Sequence, residues 1–289
     1  MIKYNPKSWF LHILSLHESD TVRILWKEII FIALLTTCLT FLEIKYLEND
    51  AWMDKLMAVY SLVGFVLALL LVFRTNTGYD RWWEGRKKWG ELVNNTRNLA
   101  IKLAALKISQ EEKVEFSRHI SNYPFALKEH LREGVDFDEL NLTDEELKEL
   151  STKNHVPSHL SLYLYAKLNK LRNENIISEI DILNCDINLK TFSDITGACE
   201  RIRNTPIPYS YSLFLKKFIF IYVTTLPLAF ISAFGYWSII LTTFIFYVLV
   251  SIEILAEEIE DPFGHDENDL PTNELAAKIK SNVEEILLN

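Results

Sequence analysis

Glycine and cysteine are scarce in this chain, 8 and 3 of its 289 residues. No phosphate loop, GxGxxG or GxSxG pattern occurs, so neither a nucleotide cradle nor a serine nucleophile elbow is encoded. No acid pair stands apart from the scattered carboxylates, which leaves an enzyme without a site. The thiols, Cys38, Cys185 and Cys199, are odd in number, far apart and free of CxxC spacing, as expected of reduced structural cysteines. Val–Ile–Thr alternation is missing, so almost no sheet is expected. Basic excess is missing too. The net charge is -9, and no Arg/Lys cluster sits between aromatics as single-strand binding requires, which excludes nucleic acid as a partner.

What the chain has in quantity is apolar residues, 49 % of the total, and they are bunched rather than spread. That is the distribution of a membrane protein whose partner is the lipid bilayer. Four segments approach the roughly 20 apolar residues that cross a bilayer core. They lie near 26–44, 54–74, 214–234 and 236–256. The first is the weakest, opened by Lys27 and Glu28 and closed by Glu43. The second is uncharged from Leu56 to Phe73, and the chain is uncharged again from Phe218 until Glu253. That last run is too long for one helix, and the FGYW stretch at Phe234 to Trp237 divides it into two antiparallel helices, with Pro227 kinking the first.

Basic flanks set the expected topology. Arg23 and Lys27 precede the first span, Arg74, Arg81, Arg86, Lys87 and Lys88 follow the second, and Arg201, Arg203, Lys216 and Lys217 precede the third. Those sides are cytoplasmic by the positive-inside rule, so both termini lie inside. The expected organisation is an N-terminal interfacial, cytoplasmic helix over 1–25, since the apolar stretch there lacks a signal-peptide core and cleavage site. Transmembrane helices 1 and 2 follow over 26–74, a cytoplasmic helical region over 75–213, transmembrane helices 3 and 4 over 214–256, and a cytoplasmic C-terminal segment over 257–289. Within the soluble middle, Ser109 with Glu112 and Thr143 with Glu146 have capping-box spacing and mark two helix starts.

His155 and His159 are four residues apart, but Pro157 between them argues against a helix presenting both on one face. No glutamate follows His155 as the zinc-protease pattern requires, so a plain loop without metal is expected. A rocking carrier is disfavoured as well, because internal repeats and charged residues inside spans two to four are missing. A pore or a structural membrane protein remains.

Phe65, Leu69 and Phe73 fall at i, i+4 and i+8 and share one helix face. Packing against lipid or a neighbouring helix accounts for such a stripe. Copies arranged about a closed cyclic axis would instead turn it into stacked apolar rings, which control ion passage by wetting and dewetting.

Three motifs now point to a family. FRTNTGYDRWWEGRKKWGEL from Phe73, CERIRNTPIPYSY from Cys199 and EDPFGHDENDLP from Glu260 occur in order across nearly the whole chain, and the sequence resembles the bestrophin channels in their bacterial branch. The resemblance implies an all-α membrane protein of the bacterial inner membrane. It implies a homopentamer with four transmembrane helices per subunit, a cytoplasmic helical body and one central ion path. It implies a pore neck at Phe65, Leu69 and Phe73 and a cytoplasmic aperture at Ile180, with Ile176 and Ile177 close by. Arg74, Trp82 and Trp83 then mark the exit of the pore helix at the inner interface, a hinge between pore and body.

Asp261, Asp266 and Asp269, with Glu267 among them, resemble the calcium clasp of animal members. Asp261 replaces the Asn expected before Pro262, and His265 and Asn268 stand where animal members carry acids. No cofactor is therefore assigned, and a solvated acidic turn is the plain reading. For the ion, resemblance to the bacterial branch implies monovalent cations, sodium or potassium. Glu43, Glu48, Asp50 and Asp54 would concentrate cations at the outer mouth, and Glu179 and Asp181 flank Ile180. The arginines beyond Phe73 favour the rival, an anion channel. A non-conducting membrane scaffold that binds a cytoplasmic partner is the alternative of another class.

Overall fold

The computed structural model describes residues 21–46, 53–132 and 134–288. No strand occurs among the described residues. Helix α1 is Thr21–Tyr46, α2 is Met53–Ala105, α3 is Gln110–His130, and a 3-10 turn follows at Phe137–Glu139. Helices α4, α5 and α6 are Asp144–Leu150, Val156–Asn173 and Glu179–Asn204. The remaining helices are α7 (Tyr209–Thr225), α8 (Pro227–Phe234), α9 (Trp237–Glu260) and α10 (Thr272–Leu288). Among the described residues, four helical stretches are long and apolar enough to cross a membrane: α1, the first part of α2, the α7–α8 pair and α9. The N-terminal segment before Thr21 and the acids Glu48 and Asp50 lie outside the described residues.

Local chemistry explains most boundaries. Both expected capping boxes form: Ser109 exchanges bonds with Glu112, and Thr143 with Glu146, each satisfying backbone N–H groups that the first helical turn leaves free. Proline cannot donate a backbone hydrogen bond, and the helix resets at Pro227, where α7 ends and α8 begins. Gly235, at φ 55, supplies the left-handed residue that ends α8 and turns the chain into α9.

Two expectations change. The second helix does not stop at Arg74 but continues to Ala105. The reason lies in its second half, where Trp89, Leu92, Thr96, Leu99 and Leu103 are buried at three- and four-residue spacing, so a helical apolar stripe carries on past the charged segment. The expected hinge is uninterrupted helix. The segment around Pro157 is likewise not a loop. Pro157 occupies the first turn of α5, where its missing N–H costs nothing, and the His155 ring caps the helix by accepting the Ser158 N–H.

The chain divides into two compact units, with α2 contributing to both. One contains the described residues up to Asp80 together with Pro206–Glu260. In it, Ile32, Leu67, Leu71, Leu215, Ile219, Val223 and Phe246 form the buried core. Small polar side chains join α1 to α9: Thr40 Oγ1 lies 3.2 Å from Ser238 Oγ, and the Ser251 hydroxyl donates to Thr21 Oγ1 at 2.9 Å. Such bonds are typical glue between helices in lipid. The other unit contains Arg81–Thr205 and the chain from Asp261 onward. Helix α3 packs against α5 and α10, and α5 against α6, around Trp89, Phe116, Tyr123, Leu160, Phe192 and Phe263. Tyr123 donates to Phe192 O at 2.9 Å, so its buried hydroxyl is satisfied. Cys185 and Cys199 are buried unpaired thiols of this unit, and burial pushes Cys199 up to about 12.

Candidate functional site

Helix α2 has two contrasting faces within the first unit. Leu67, Leu71 and Arg74 are buried, at 0 %, 2 % and 1 % exposure. Phe65, Leu69 and Phe73 are uncovered, at 62 %, 44 % and 63 %. A helix makes one turn in 3.6 residues, so a step of four keeps the three uncovered side chains in a row while Leu67 and Leu71 point elsewhere. The single chain therefore leaves a ladder of large apolar side chains largely uncovered.

Arg74 directly follows that ladder in sequence, yet it belongs to the buried face. Its Nη2 lies 2.6 Å from Glu260 Oε2 at the end of α9. Glu260 Oε1 in turn accepts the backbone N–H of Ile207 at 2.6 Å, just ahead of α7. One turn further along α2, a Cβ on Gly78 would stand 2.9 Å from the Ala256 carbonyl oxygen. A side chain there would push α2 and α9 apart, and this close approach sets the distance over which Arg74 meets Glu260.

The remaining expected residues are placed as follows. Trp82 belongs to the second unit, packs on its core and donates its indole N–H to Asn268 O at 3.0 Å. Trp83 is half exposed. Ile180 is 69 % exposed in the first turn of α6. That helix starts at a third capping box, Ser178 with Asp181, whose Ser178 hydroxyl and N–H hold the Asp181 carboxyl below its usual range. Leu183 and Ile187, exposed to the same degree, extend Ile180 into a stripe at i, i+3 and i+7 that was not singled out from the sequence. The apolar periodicity of EIDILNCDI carries that signal. Asp54 lies in the first turn of α2. Glu43, expected at the outer mouth, is buried, and neither carboxylate oxygen has a hydrogen-bond partner among the described residues.

The acidic turn after α9 is organised by carboxylate-to-backbone bonds. Asp269 Oδ2 accepts the Asp266 N–H at 2.6 Å, and Asp261 Oδ1 accepts the Phe263 N–H at 3.5 Å. Burial pushes the Asp269 carboxyl up to about 7. Its Oδ1 is buried without a partner, but a calcium ion takes six to eight oxygens. Among the described residues these acids do not bring three ligand atoms within 4.8 Å of one another.

A different cluster meets that distance criterion, His130, His155 and Glu200. His130 Nε2 and His155 Nε2 lie 2.7 and 3.0 Å from the same Glu200 Oε1, and the rings are 4.6 Å apart. Because His155 Nδ1 accepts the Ser158 N–H, the neutral ring carries its proton on Nε2 and donates it to Glu200. A metal ligand needs the opposite tautomer, with the outer nitrogen donating. The cluster is a hydrogen-bonded staple between α3, α5 and α6.

Membrane-length helices, an uncovered apolar ladder on one of them and a separate helical unit define an all-α membrane protein, with no catalytic constellation among the described residues. Comparison with known proteins makes this specific. The family model described as "Bacterial/Fungal Bestrophin protein" matches residues 1–285, and the chain belongs to that family, whose members are ion channels and not enzymes. It is 32 % identical to the voltage-dependent anion channel-forming protein of Nostoc sp., covering 97 % of this chain and 92 % of the relative. It is 30 % identical to the protein of the same description from Escherichia coli strain K12, over 78 % and 74 % of the two chains. A solved bacterial bestrophin homologue from Klebsiella pneumoniae superposes with a TM-score of 0.82 at 26 % identity, covering 90 % of this chain and 97 % of that one.

Proposed function

We propose that this protein is a homopentameric channel of the bacterial inner membrane, with four spans per subunit and both termini cytoplasmic, conducting monovalent cations. The uncovered ladder of Phe65, Leu69 and Phe73 carries the reading. Five copies facing a common axis turn each rung into an apolar ring, the kind of constriction that gates by dewetting. Ile180, exposed at the start of α6, provides a second apolar ring on the cytoplasmic side, with exposed Glu179 beside it.

Two features favour cations. Arg74, the nearest cation to the neck in sequence, spends its charge on Glu260 inside the helix packing rather than on the open face. Asp181 is held ionised one residue beyond Ile180. The anion reading has its own support, since the curated relatives from Nostoc and Escherichia coli are described as anion channel-forming.

The test is the reversal potential of purified protein in a planar bilayer under an asymmetric sodium chloride gradient. A value near the sodium equilibrium potential supports the cation channel, and one near the chloride potential replaces it with the anion channel. If Phe73→Ala and Ile180→Ala both leave every flux unchanged in an intact oligomer, the pore assignment is wrong.

A further inference from the structure

A groove of about 520 Å³ opens at the charged ends of three helices in the first unit. Its walls are apolar: Leu25 from α1, Ile219 and Phe220 from α7, and Phe246, Val250 and Ile254 from α9. Its rim is ionic, made by Glu28, Lys216, Glu253 and Glu257. Lys216 Nζ is chelated by both oxygens of Glu257 at 3.0 and 2.9 Å and lies 3.7 Å from Glu253 Oε1. Two carboxylates thus flank one ammonium, and a third, Glu28, lines the same groove beside its hydrocarbon wall.

Glu253 is the telling member. It is 3 % exposed, lines the groove, and its Oε1 accepts no hydrogen bond. A buried carboxylate oxygen without a donor is costly, and in a membrane helix it marks a place where a polar group is bound. Lys216 Nζ, which bonds both oxygens of Glu257, stays 3.7 Å from Glu253 Oε1, beyond hydrogen-bond length, and its side chain is 45 % exposed on the rim.

We propose that this groove binds a phospholipid with a primary-amine headgroup. The acyl chain lies along Phe246, Val250 and Ile219. The ammonium, with three N–H donors, enters between Glu253, Glu257 and Glu28. The phosphate meets the exposed side of Lys216. Charge selects the occupant: a lipid bearing only negative charge meets three carboxylates, whereas a zwitterionic amine complements both signs on the rim. The inference rests on the placement of α1, α7 and α9 in a membrane and is independent of what the channel conducts.

Native mass spectrometry of the full-length oligomer in mild detergent tests it, with phosphatidylethanolamine and phosphatidylglycerol of matched chains titrated separately. The amine lipid should bind about tenfold more tightly, as one charge-assisted hydrogen bond between ionised groups provides. Glu253→Gln should remove that preference, and the same spectrum reports whether the oligomer is intact. If that variant does not assemble, Glu257→Gln on the exposed rim should reduce the preference instead. Equal binding of the two lipids, an unchanged preference in the variants, or no lipid bound to an intact wild-type oligomer overturns the proposal. The last outcome would assign the groove to a neighbouring copy of the chain.

Discussion

Arg74 on α2 and Glu260 at the end of α9 form an ion pair of 2.6 Å in which the arginine side chain is 1 % exposed. Among the described residues Nε and Nη1 of the guanidinium have no hydrogen-bond partner, and the other carboxylate oxygen accepts the Ile207 N–H. Removing one partner strands a buried charge, which costs about 3–5 kcal/mol. Glu260→Gln is expected to lower the melting temperature of the detergent-solubilised protein markedly. A variant melting within a degree of wild type would show that the pair contributes nothing.

Leu71 and Phe73 are two residues apart on α2, yet they should separate stability from permeation. Leu71→Ala opens a cavity in the core with Leu215 and Val223 and should cost about 2–5 kcal/mol. Phe73→Ala, on the uncovered face, should leave the melting temperature of the single subunit's core nearly unchanged while increasing current in planar bilayers. Loss of stability in both, with unaltered current, would place Phe73 in packing rather than in the path.

Gly78→Ala should destabilise even though alanine is the better helix former by about 1 kcal/mol. The added methyl would meet the Ala256 carbonyl oxygen at 2.9 Å and the Ile259 side chain at 3.1 Å. The carbonyl is backbone and cannot rotate away, so overpacking of about 1–3 kcal/mol is expected. Thermal melts of the variant and wild type in the same detergent decide the sign.

Acid should weaken the second unit through Glu146. Burial alone would raise its carboxyl, but the Arg118 guanidinium and the Thr143 N–H outweigh it and bring the value down to about 2. With the folded value below the ordinary 4.5, the contribution is complete above about pH 5 and is lost as the pH falls from there towards 2. Its full size is up to about 3 kcal/mol. Glu146→Gln should melt lower at pH 7 and show a smaller further loss between pH 5 and 3 than wild type. Parallel pH profiles of the two proteins would contradict this.

Legibility followed the range of the interactions. The boxes at Ser109 and Thr143 and the breaks at Pro227 and Gly235 were readable because each depends on residues a few positions apart. The ladder of Phe65, Leu69 and Phe73 was readable for the same reason. The box at Ser178 escaped because Asp181 rather than Glu or Gln closes it. The continuation of α2 beyond Arg74 was hidden by a dense run of charge, although the stripe from Trp89 to Leu103 lay beneath it. Glu260 as the partner of Arg74, the inward turn of Glu43 and the meeting of His130 with His155 and Glu200 all depend on residues distant in sequence, which no local pattern encodes.

The bonds between α1 and α9 have a consequence for how the protein is made. Thr40 and Ser238 are separated by 198 positions, and Thr21 and Ser251 by 230. At a synthesis rate of about 5–20 residues per second, α1 waits roughly 10–40 s in the bilayer before its partner emerges from the ribosome. During that interval Thr40 and the buried carboxylate of Glu43 have no α9 to pack on. The contacts that complete the packing of α1 therefore form only after nearly the whole chain has been made.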